Sequence, residues 1–374
     1  MSGHFQLPQH GHSTIAEILP SIASQLRPQL DGARPALSIP QASRYVLVMV
    51  DGLGLELLRR HAPRVPYLGS LLDTCLELTS AAPSTTATSL TSLGSGLAPG
   101  RHGVVGYEFR VDGQALNALA WSAAVPAQAV QVHPTWFGKL EQAGVLVSSV
   151  CPEHFARSGL TQASQRGGEF VPVAPSDSRD ERIRLTVDAA TSADETFVYL
   201  YERELDATGH HEGCGSVPWR AMLDEIDEYL ETLRNSLPSD VCLLITGDHG
   251  MVDVPEAKQI VIEDIPGLSD GIALISGEPR LRQLYTENPE RVAQRWQDIL
   301  GDRALVRTRE QAIADGWWGE VDDRVRSYIG DVLVACLDDW ALMSLTKAGE
   351  LTLVGQHGSL TPNEVRIPLL MDCG

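Results

Sequence analysis

Carboxylates and imidazoles stand close together at two places where an apolar run of the chain stops. One place is residues 205–210, with Asp206 and His210, and the other is residues 246–251, with Asp248 and His249. Carboxylate oxygen and neutral imidazole nitrogen are ligands that zinc accepts, and a zinc site with an open position supports hydrolysis. These residue types and spacings therefore predict a divalent-metal site with hydrolytic chemistry.

Hydroxyl groups crowd the stretch 82–96 around the start of a predicted helix. Pro83 precedes the helix, small residues follow it, and Gly96 stands near its end, which indicates tight packing. A hydroxyl at a helix N-terminus experiences the positive end of the helix dipole, which favours an alkoxide or a nearby phosphate. An ordinary Ser/Thr capping cluster is the alternative for this stretch.

The elements that must position these residues follow an α/β pattern. Short Val/Leu/Ile-rich runs alternate with amphipathic segments, which predicts a largely parallel sheet covered by helices on both faces. The runs are residues 45–50, 145–150, 196–200, 241–245 and 331–336. One helix is predicted after Ser216, from near Pro218 through Leu233, and another from Pro289 to Gly301.

Several of the acidic residues come at or soon after the ends of these runs. Asp51 follows the first run directly, Asp206 comes shortly after the third, and Asp248 with His249 closes the fourth. Because open α/β sheets bind ligands at the carboxyl edge, we expect these side chains to gather there. For Asp51 alone, capping of a following helix is the alternative.

Length and hydropathy fit an enzyme core with an insertion. The 374 residues allow two or three domains at roughly 100–200 residues each. We expect one catalytic domain over 1–374, with a smaller inserted or appended lobe at about 256–330. The mean hydropathy is -0.07, and no apolar stretch approaches the roughly 18–20 residues of a membrane span. The N-terminus lacks the features of a secretory signal, so the sequence predicts a cytoplasmic location away from membranes.

The net charge restricts the possible binding partners, and the cysteine pattern indicates the redox environment. The formal net charge of -20 argues against duplex nucleic acid, whose phosphates need a basic surface. A small phosphorylated substrate is compatible, because two bound dications would make the site locally positive. No CxxC pair occurs, which predicts free thiols in a reducing cytosol. The cysteines are Cys75, Cys151, Cys214, Cys242, Cys336 and Cys373.

Six motifs taken together resemble the alkaline phosphatase superfamily, and more narrowly its nucleotide pyrophosphatase/phosphodiesterase branch. The resemblance runs in order from about residue 44 to 370. It implies an alkaline-phosphatase-like three-layer sandwich, with a mostly parallel central sheet flanked by helices and a small inserted lobe. The motifs lie at residues 49–52, 83–86, 96–103, 206–210, 247–251 and 355–358.

The resemblance implies two divalent metal ions, with zinc as the expected metal, and a threonine nucleophile. One metal would be held by Asp206, His210 and His357, and the other by Asp51, Asp248, His249 and the oxygen of Thr86. Thr86 would attack phosphorus, expel an alcohol or a phosphate ester, and form a phosphothreonine that water hydrolyses. Two dications about 3.5–4 Å apart suit such an in-line displacement.

The chain departs from the family pattern at two positions. Ala87 follows Thr86, where phosphodiesterases of this branch usually carry an aromatic residue that helps to hold a nucleobase. The position of a phosphate-binding asparagine falls on Tyr107, whose phenol can also donate a hydrogen bond. Tyr201 matches a tyrosine that stacks on the base in relatives, although a half-buried strand-end tyrosine is the alternative.

The expected function is that of a two-metal hydrolase of phosphate esters. The leading hypothesis is a phosphodiesterase or nucleotide pyrophosphatase that acts on a nucleotide-like small molecule. The missing aromatic and asparagine keep open a phosphomonoesterase or a phosphonate hydrolase of the same superfamily. A noncatalytic metal- or ligand-binding relative is the alternative from another class. No cysteine at the nucleophile position is available for conversion to formylglycine, which disfavours a sulfatase. The sequence specifies no oligomeric state.

Overall fold

The central sheet is built from the short apolar runs of the sequence. The computed structural model describes residues 5–122 and 124–374. Its strands are β1 (Arg44–Val50), β2 (Leu76–Thr79), β3 (Glu108–Val111), β4 (Gln114–Asn117), β5 (Leu146–Pro152), β6 (Glu169–Val173), β7 (Thr196–Glu202), β8 (Val241–Thr246), β9 (Val252–Asp253), β10 (Gln259–Val261), β11 (Leu274–Glu278), β12 (Leu281–Tyr285), β13 (Ala304–Thr308), β14 (Val332–Cys336), β15 (Ala341–Met343), β16 (Gly355–Gln356) and β17 (Arg366–Asp372). The central sheet has the order β2-β17-β8-β1-β7-β5-β6. Within it, β17 runs antiparallel to β2 and β8, whereas the pairs β8–β1, β1–β7, β7–β5 and β5–β6 are parallel.

Helices cover both faces of this sheet. They are α1 (Ile18–Leu26), α2 (Leu55–His61), α3 (Pro66–Ser70), α4 (Thr86–Ser95), α5 (Pro99–His102), α6 (Ala127–Val130), α7 (Trp136–Gln142), α8 (Gly159–Ser164), α9 (Arg179–Thr191), α10 (Glu204–Glu212), α11 (Val217–Ser236), α12 (Pro289–Leu300), α13 (Arg309–Ala314), α14 (Asp323–Arg326) and α15 (Pro362–Val365). Alternate residues of β1 point to opposite faces. Val46 and Val48 belong to the core beneath α9 and α11, whereas Leu47 and Met49 belong to the core beneath α1, α4 and α7. The predicted three-layer α/β sandwich with a mostly parallel sheet is confirmed.

The two helices predicted from sequence signals are also confirmed. The Ser216 side chain accepts a hydrogen bond from Trp219 N at 3.1 Å, which caps the N-terminus of α11. Pro289 occupies the first position of α12, where its missing N–H costs nothing. Trp296 of α12 is fully buried, because that helix packs its apolar stripe on a second sheet.

The second sheet consists of β11, β12, β14 and β13 in that order, all antiparallel. The apolar run at 331–336 forms β14 in this sheet, so its assignment to the parallel sheet is wrong. Its neighbours in the sheet, β12 and β13, run antiparallel to it, which a single apolar run does not reveal. The division of the chain into one catalytic domain and a lobe at about 256–330 stays a prediction.

The prediction of free thiols is wrong for two of the cysteines. Cys242 of β8 and Cys373, just after β17, form a disulfide. The two strands are antiparallel neighbours, which brings these residues opposite each other although they are 131 positions apart. The other four are free, as expected: Cys75, Cys151, Cys214 and Cys336.

Within 5–122 and 124–374, no helix combines the length and the apolar character that crossing a bilayer requires.

Candidate metal centre

Six Asp and His side chains converge at the carboxyl edge of the central sheet, in two adjoining groups. Within each group the ligand atoms lie within 4.8 Å of one another. Asp206 and His210 are one turn apart on α10, and Asp51 and Asp248 follow β1 and β8. The groups are the Asp206 group (Asp206, His210 and His357) and the Asp248 group (Asp51, Asp248 and His249).

The Asp206 group has the spacing of a metal site. His210 Nε2 lies 3.4 Å from Asp206 Oδ2, and His357 Nε2 lies 3.8 Å from Asp206 Oδ1. The two Nε2 atoms are 3.2 Å apart. Ligand bonds of about 2.0–2.1 Å in tetrahedral geometry separate neighbouring ligand atoms by about 3.3 Å, so the three side chains fit zinc.

The Asp248 group includes the hydroxyl of Thr86. His249 Nε2 lies 3.4 Å from Asp51 Oδ1 and 3.5 Å from Asp248 Oδ2. Thr86 Oγ1 is 3.2 Å from His249 Nε2 and 3.5 Å from Asp51 Oδ1. The His249 ring stacks on His357 with centroids 3.6 Å apart, so the two groups share one site. Thr86 is the first residue of α4, and its side chain faces the shared site.

Backbone carbonyls fix the orientation of all three imidazoles. The Nδ1 atoms of His210, His249 and His357 lie 2.8, 3.0 and 2.8 Å from the carbonyl oxygens of Gly355, Gly250 and Ser84. A carbonyl only accepts, so each Nδ1 carries the proton and donates. Each Nε2 then presents its lone pair to the site, as a metal ligand must.

Two of the carboxylates of the site, Asp51 and Asp248, are buried without enough compensating charge. Burial raises the pKa of Asp51 well above its usual value, and the charges of Asp206 and Asp248 raise it further. Burial also raises the pKa of Asp248, against the opposing charge of His249. Asp206 Oδ1 and Asp248 Oδ2 accept no hydrogen bond. Because buried charges need neutralising partners, this site is suited to divalent cations.

The imidazole of His357 is kept neutral. Burial lowers the pKa of His357 well below its usual value, and the neighbouring His249 and His210 lower it further. A neutral imidazole is the form that binds a metal.

A cavity of about 710 Å³ opens over both groups. Tyr107 and Tyr201, which the sequence analysis predicted to bind substrate, both lie in its wall. Tyr201 is only 9% exposed and donates its hydroxyl to Asp51 Oδ2. Tyr107 is half-buried, and its backbone N–H donates to Glu278 Oε1 at 2.7 Å. The roles of both tyrosines in substrate binding stay predictions.

The cavity wall includes residues that the sequence did not point out. Phe155 lies beyond the end of β5, and its ring meets Tyr201 edge-on at 5.9 Å between centroids. Ala87, in contrast, is buried in the core. The signal for Phe155 was its position at the same edge of the sheet as Asp51. Arg203 and Lys347 also line the cavity, and Lys347 is ion-paired with Glu108.

Glu278 is a further missed residue of the cavity. It ends β11 of the second sheet, is 5% exposed, and leaves Oε2 without a hydrogen bond. Burial raises the pKa of Glu278 to about 7, although the Tyr107 N–H, the Thr85 side chain and the Arg282 charge lower it in part. The Thr85 side chain lies near enough to the carboxylate to favour its charged form. No sequence motif marks this carboxylate.

Two further histidines, one within a motif and one directly after a motif, lie outside both groups. His211 is exposed on α10 and belongs to neither group. His102 is fully buried and structural, because its ring bonds to Ser92 Oγ at 2.9 Å and to the backbone N–H of Val104 at 3.1 Å.

The fold and the site together define a member of the alkaline phosphatase superfamily. Within it, the chain belongs to the type I phosphodiesterase / nucleotide pyrophosphatase family, whose sequence model matches residues 45–360. The protein is therefore a phosphoester hydrolase of the phosphodiesterase/pyrophosphatase type, and the predicted family is confirmed. No curated protein sequence matches the chain significantly.

Solved structures share the alkaline-phosphatase-like fold. Human ectonucleotide pyrophosphatase/phosphodiesterase 5 superimposes with a TM-score of 0.71 at 17% identity, over 88% of this chain and 87% of that one. An inactive variant of the murine protein in complex with AMP gives 0.72 at 15% identity, over 87% of each chain. Phosphonoacetate hydrolase from Sinorhizobium meliloti, in complex with phosphonoformate, gives 0.69 at 17% identity, over 89% of this chain and 90% of that one.

Proposed function

We propose that the protein is a two-metal phosphodiesterase or nucleotide pyrophosphatase with Thr86 as its nucleophile. The observation that carries the proposal is the position of Thr86 Oγ1 at the start of α4, 3.2 Å from His249 Nε2 and 3.5 Å from Asp51 Oδ1. One divalent cation would be held by Asp206, His210 and His357, and the other by Asp51, Asp248, His249 and Thr86.

Phosphoryl transfer in this site runs through a covalent enzyme intermediate. When bound, two divalent cations, most readily zinc, would neutralise charge on the attacking and leaving oxygens of an in-line displacement. Thr86 Oγ bonds to phosphorus while the bond to the leaving alcohol or phosphate ester breaks, which gives a phosphothreonine. Water then cleaves that ester and restores the hydroxyl. The N-terminus of α4 favours the anionic phosphoryl group beside Thr86, because its free N–H groups and dipole attract negative charge.

The substrate is a nucleotide-like small molecule. The cavity of about 710 Å³ has the size of a small-molecule site. Tyr201 and Phe155 give it an aromatic wall beside the metal groups. The murine relative that holds AMP supports the same class of ligand. In this proposal Tyr201 and Tyr107 contact the substrate.

A phosphomonoesterase or a phosphonate hydrolase is the second candidate. Ala87 is buried in the core, and the fold is also that of phosphonoacetate hydrolase. Parallel assays with bis(p-nitrophenyl) phosphate, p-nitrophenyl phosphate and phosphonoacetate under added zinc separate these activities. Faster turnover of the diester supports the proposal, and faster turnover of either other substrate favours the second candidate.

Replacing Thr86 with alanine tests the nucleophile. We expect Thr86→Ala to keep the metal content of the wild-type protein while turnover falls by at least about 1,000-fold, since the covalent route is lost. The measurements are elemental analysis and kcat with the preferred ester.

The matched control for that variant is Thr88→Ala, in the same helix. Thr88 Oγ1 is buried and has no hydrogen-bond partner, so its loss should leave kcat within about threefold. Substantial activity in Thr86→Ala would remove this residue as the nucleophile. A wild-type protein that contains no zinc and regains none on supplementation would instead indicate the noncatalytic alternative.

The cytoplasmic location is retained as a prediction. The disulfide between Cys242 and Cys373 weighs against it, because disulfides persist in oxidising compartments.

A further inference from the structure

Glu278, at the end of a strand of the second sheet, lies in the wall of the cavity. It contacts two residues that are adjacent in sequence to residues of the metal centre. Its side chain lies against Gly358, next to His357, where a Cβ on that glycine would come within 2.8 Å of Glu278 Cβ. Its carboxylate is close to Thr85, next to Thr86. The carboxyl group is therefore held beside the place where the phosphoryl group would bind.

One oxygen of this carboxylate, which lies in the cavity wall, has no hydrogen-bond partner in the described part of the chain. Oε1 accepts the backbone N–H of Tyr107 at 2.7 Å, whereas Oε2 is buried and accepts no hydrogen bond. The arginine whose charge acts on Glu278 and the lysine of the cavity wall are both ion-paired with other carboxylates. Lys347 bonds to Glu108, and Arg282 bonds to Glu350. Among the described residues, Glu278 has no ion pair of its own, although the charge of Arg282 favours its charged form. Its negative charge therefore acts from the cavity wall on a substrate bound in the cavity.

Substrates of the two candidate activities differ in charge. A phosphate diester carries one negative charge, and a monoester carries about two at alkaline pH because its second pKa is about 6. A like charge nearby disfavours the more highly charged ligand.

We propose that Glu278 acts as a charge filter, which disfavours dianionic phosphate monoesters and so sets a preference for monoanionic diesters. This inference rests on the proposed function, because it assumes that phosphate esters bind beside Thr86. It assigns to the second sheet a part in substrate choice.

The decisive variant is Glu278→Gln, which keeps the shape and the acceptor for Tyr107 N–H but removes the charge. At mildly alkaline pH we expect kcat/KM for p-nitrophenyl phosphate to rise by about tenfold or more. The value for bis(p-nitrophenyl) phosphate, which carries about half the charge, should rise by only about threefold. Without turnover, calorimetry should show inorganic phosphate binding about tenfold more tightly to Glu278→Gln than to wild type.

Two further variants separate charge from structure. Glu278→Asp keeps the charge and should keep the diester preference, whereas Glu278→Ala removes it and should shift the ratio in the same direction as Glu278→Gln. If the diester-to-monoester ratio and phosphate affinity stay at wild-type values in Glu278→Gln and Glu278→Ala, the charge filter is overturned. A parallel fall for both substrates, with phosphate affinity unchanged, also overturns it by indicating a purely structural role. The proposed function fails separately, on full activity of Thr86→Ala, and the phosphate-binding comparison still decides the role of Glu278 in that case.

Discussion

At the scale of single residues, main-chain groups do much of the positioning at the metal centre. The three Nδ1–carbonyl contacts orient the imidazoles, and the N–H groups of Gly52 and His249 donate to Asp248 Oδ1 at 3.0 and 3.1 Å. Gly52 adopts a φ of +77°, and a Cβ there would lie 3.2 Å from Asp206. The glycine after Asp51 therefore serves both the turn and the close approach of α10.

The buried carboxyl of Glu278 should make stability depend on pH. Burial raises its pKa from 4.5 to about 7, so the folded state holds the proton more tightly than the unfolded state. The resulting stabilisation is present below pH 4.5 and is lost as pH rises through about 7. We therefore expect the metal-free Glu278→Gln protein to gain stability relative to wild type across that interval, by up to about 3 kcal/mol. Urea unfolding of both proteins across this pH range gives the difference, and a difference that does not change with pH contradicts the expectation.

The sequence predicted the Asp and His residues that converge, because each stands at or soon after a strand end or within a local motif. It did not predict Glu278 or Phe155. Glu278 ends a strand of the second sheet, and its approach to Thr85 depends on how that sheet packs on the site. Such long-range packing leaves no periodic signal in a single sequence.

At the scale of elements, α4 positions Thr86 by packing closely on its neighbours. The helix ends at Gly96, whose φ of +70° suits a left-handed cap. Gly94 lies against the end of α8, where a Cβ would come within 1.6 Å of Ser164 O. A residue without a side chain is thus required at position 94 by contact with a backbone carbonyl.

Gly94→Ala should destabilise the protein even though alanine favours helices. The gain in helix propensity is about 1 kcal/mol, but α8 or α4 must move to admit the methyl group. We expect a net loss of about 1–3 kcal/mol in the free energy of unfolding. Gly349→Ala is the control, because a Cβ there meets no atom within 4 Å. Chemical denaturation of both variants measures the effect, and a Gly94→Ala protein as stable as wild type would show that α8 yields easily.

The element predictions succeeded where the chain alternates strand and helix, as in the runs that became β1, β5, β7 and β8. The run at 331–336 was a correct strand in the wrong sheet, since a buried antiparallel strand is as apolar as a parallel one. The antiparallel β17 was missed altogether, and Pro368 within Arg366–Asp372 explains why. Proline has no N–H to donate to a neighbouring strand, so its presence argues against a central strand in sequence analysis.

At the scale of the whole molecule, the C-terminal segment contributes an interior strand to the central sheet. Strand β17 lies between β2 and β8, so the last strand of the chain supports the strand that leads to Asp248. The disulfide fastens that contact by joining Cys373 to Cys242. Sequence analysis did not foresee it, because the two cysteines become neighbours only through the register of β8 and β17.

The disulfide should contribute to global stability because it closes a loop of 131 positions. In the chain-entropy description, a crosslink over so long a loop stabilises by about 5 kcal/mol, and typical measured contributions of disulfides are about 2–4 kcal/mol. We expect a reductant to lower the midpoint of thermal unfolding of the wild-type protein but not that of a Cys242→Ala/Cys373→Ala double variant. Cys336→Ala, at a buried free cysteine, measures the cost of the lost side chain alone. Thiol titration of the unfolded, unreduced protein should find four free thiols, and six would mean that the bond does not form in solution.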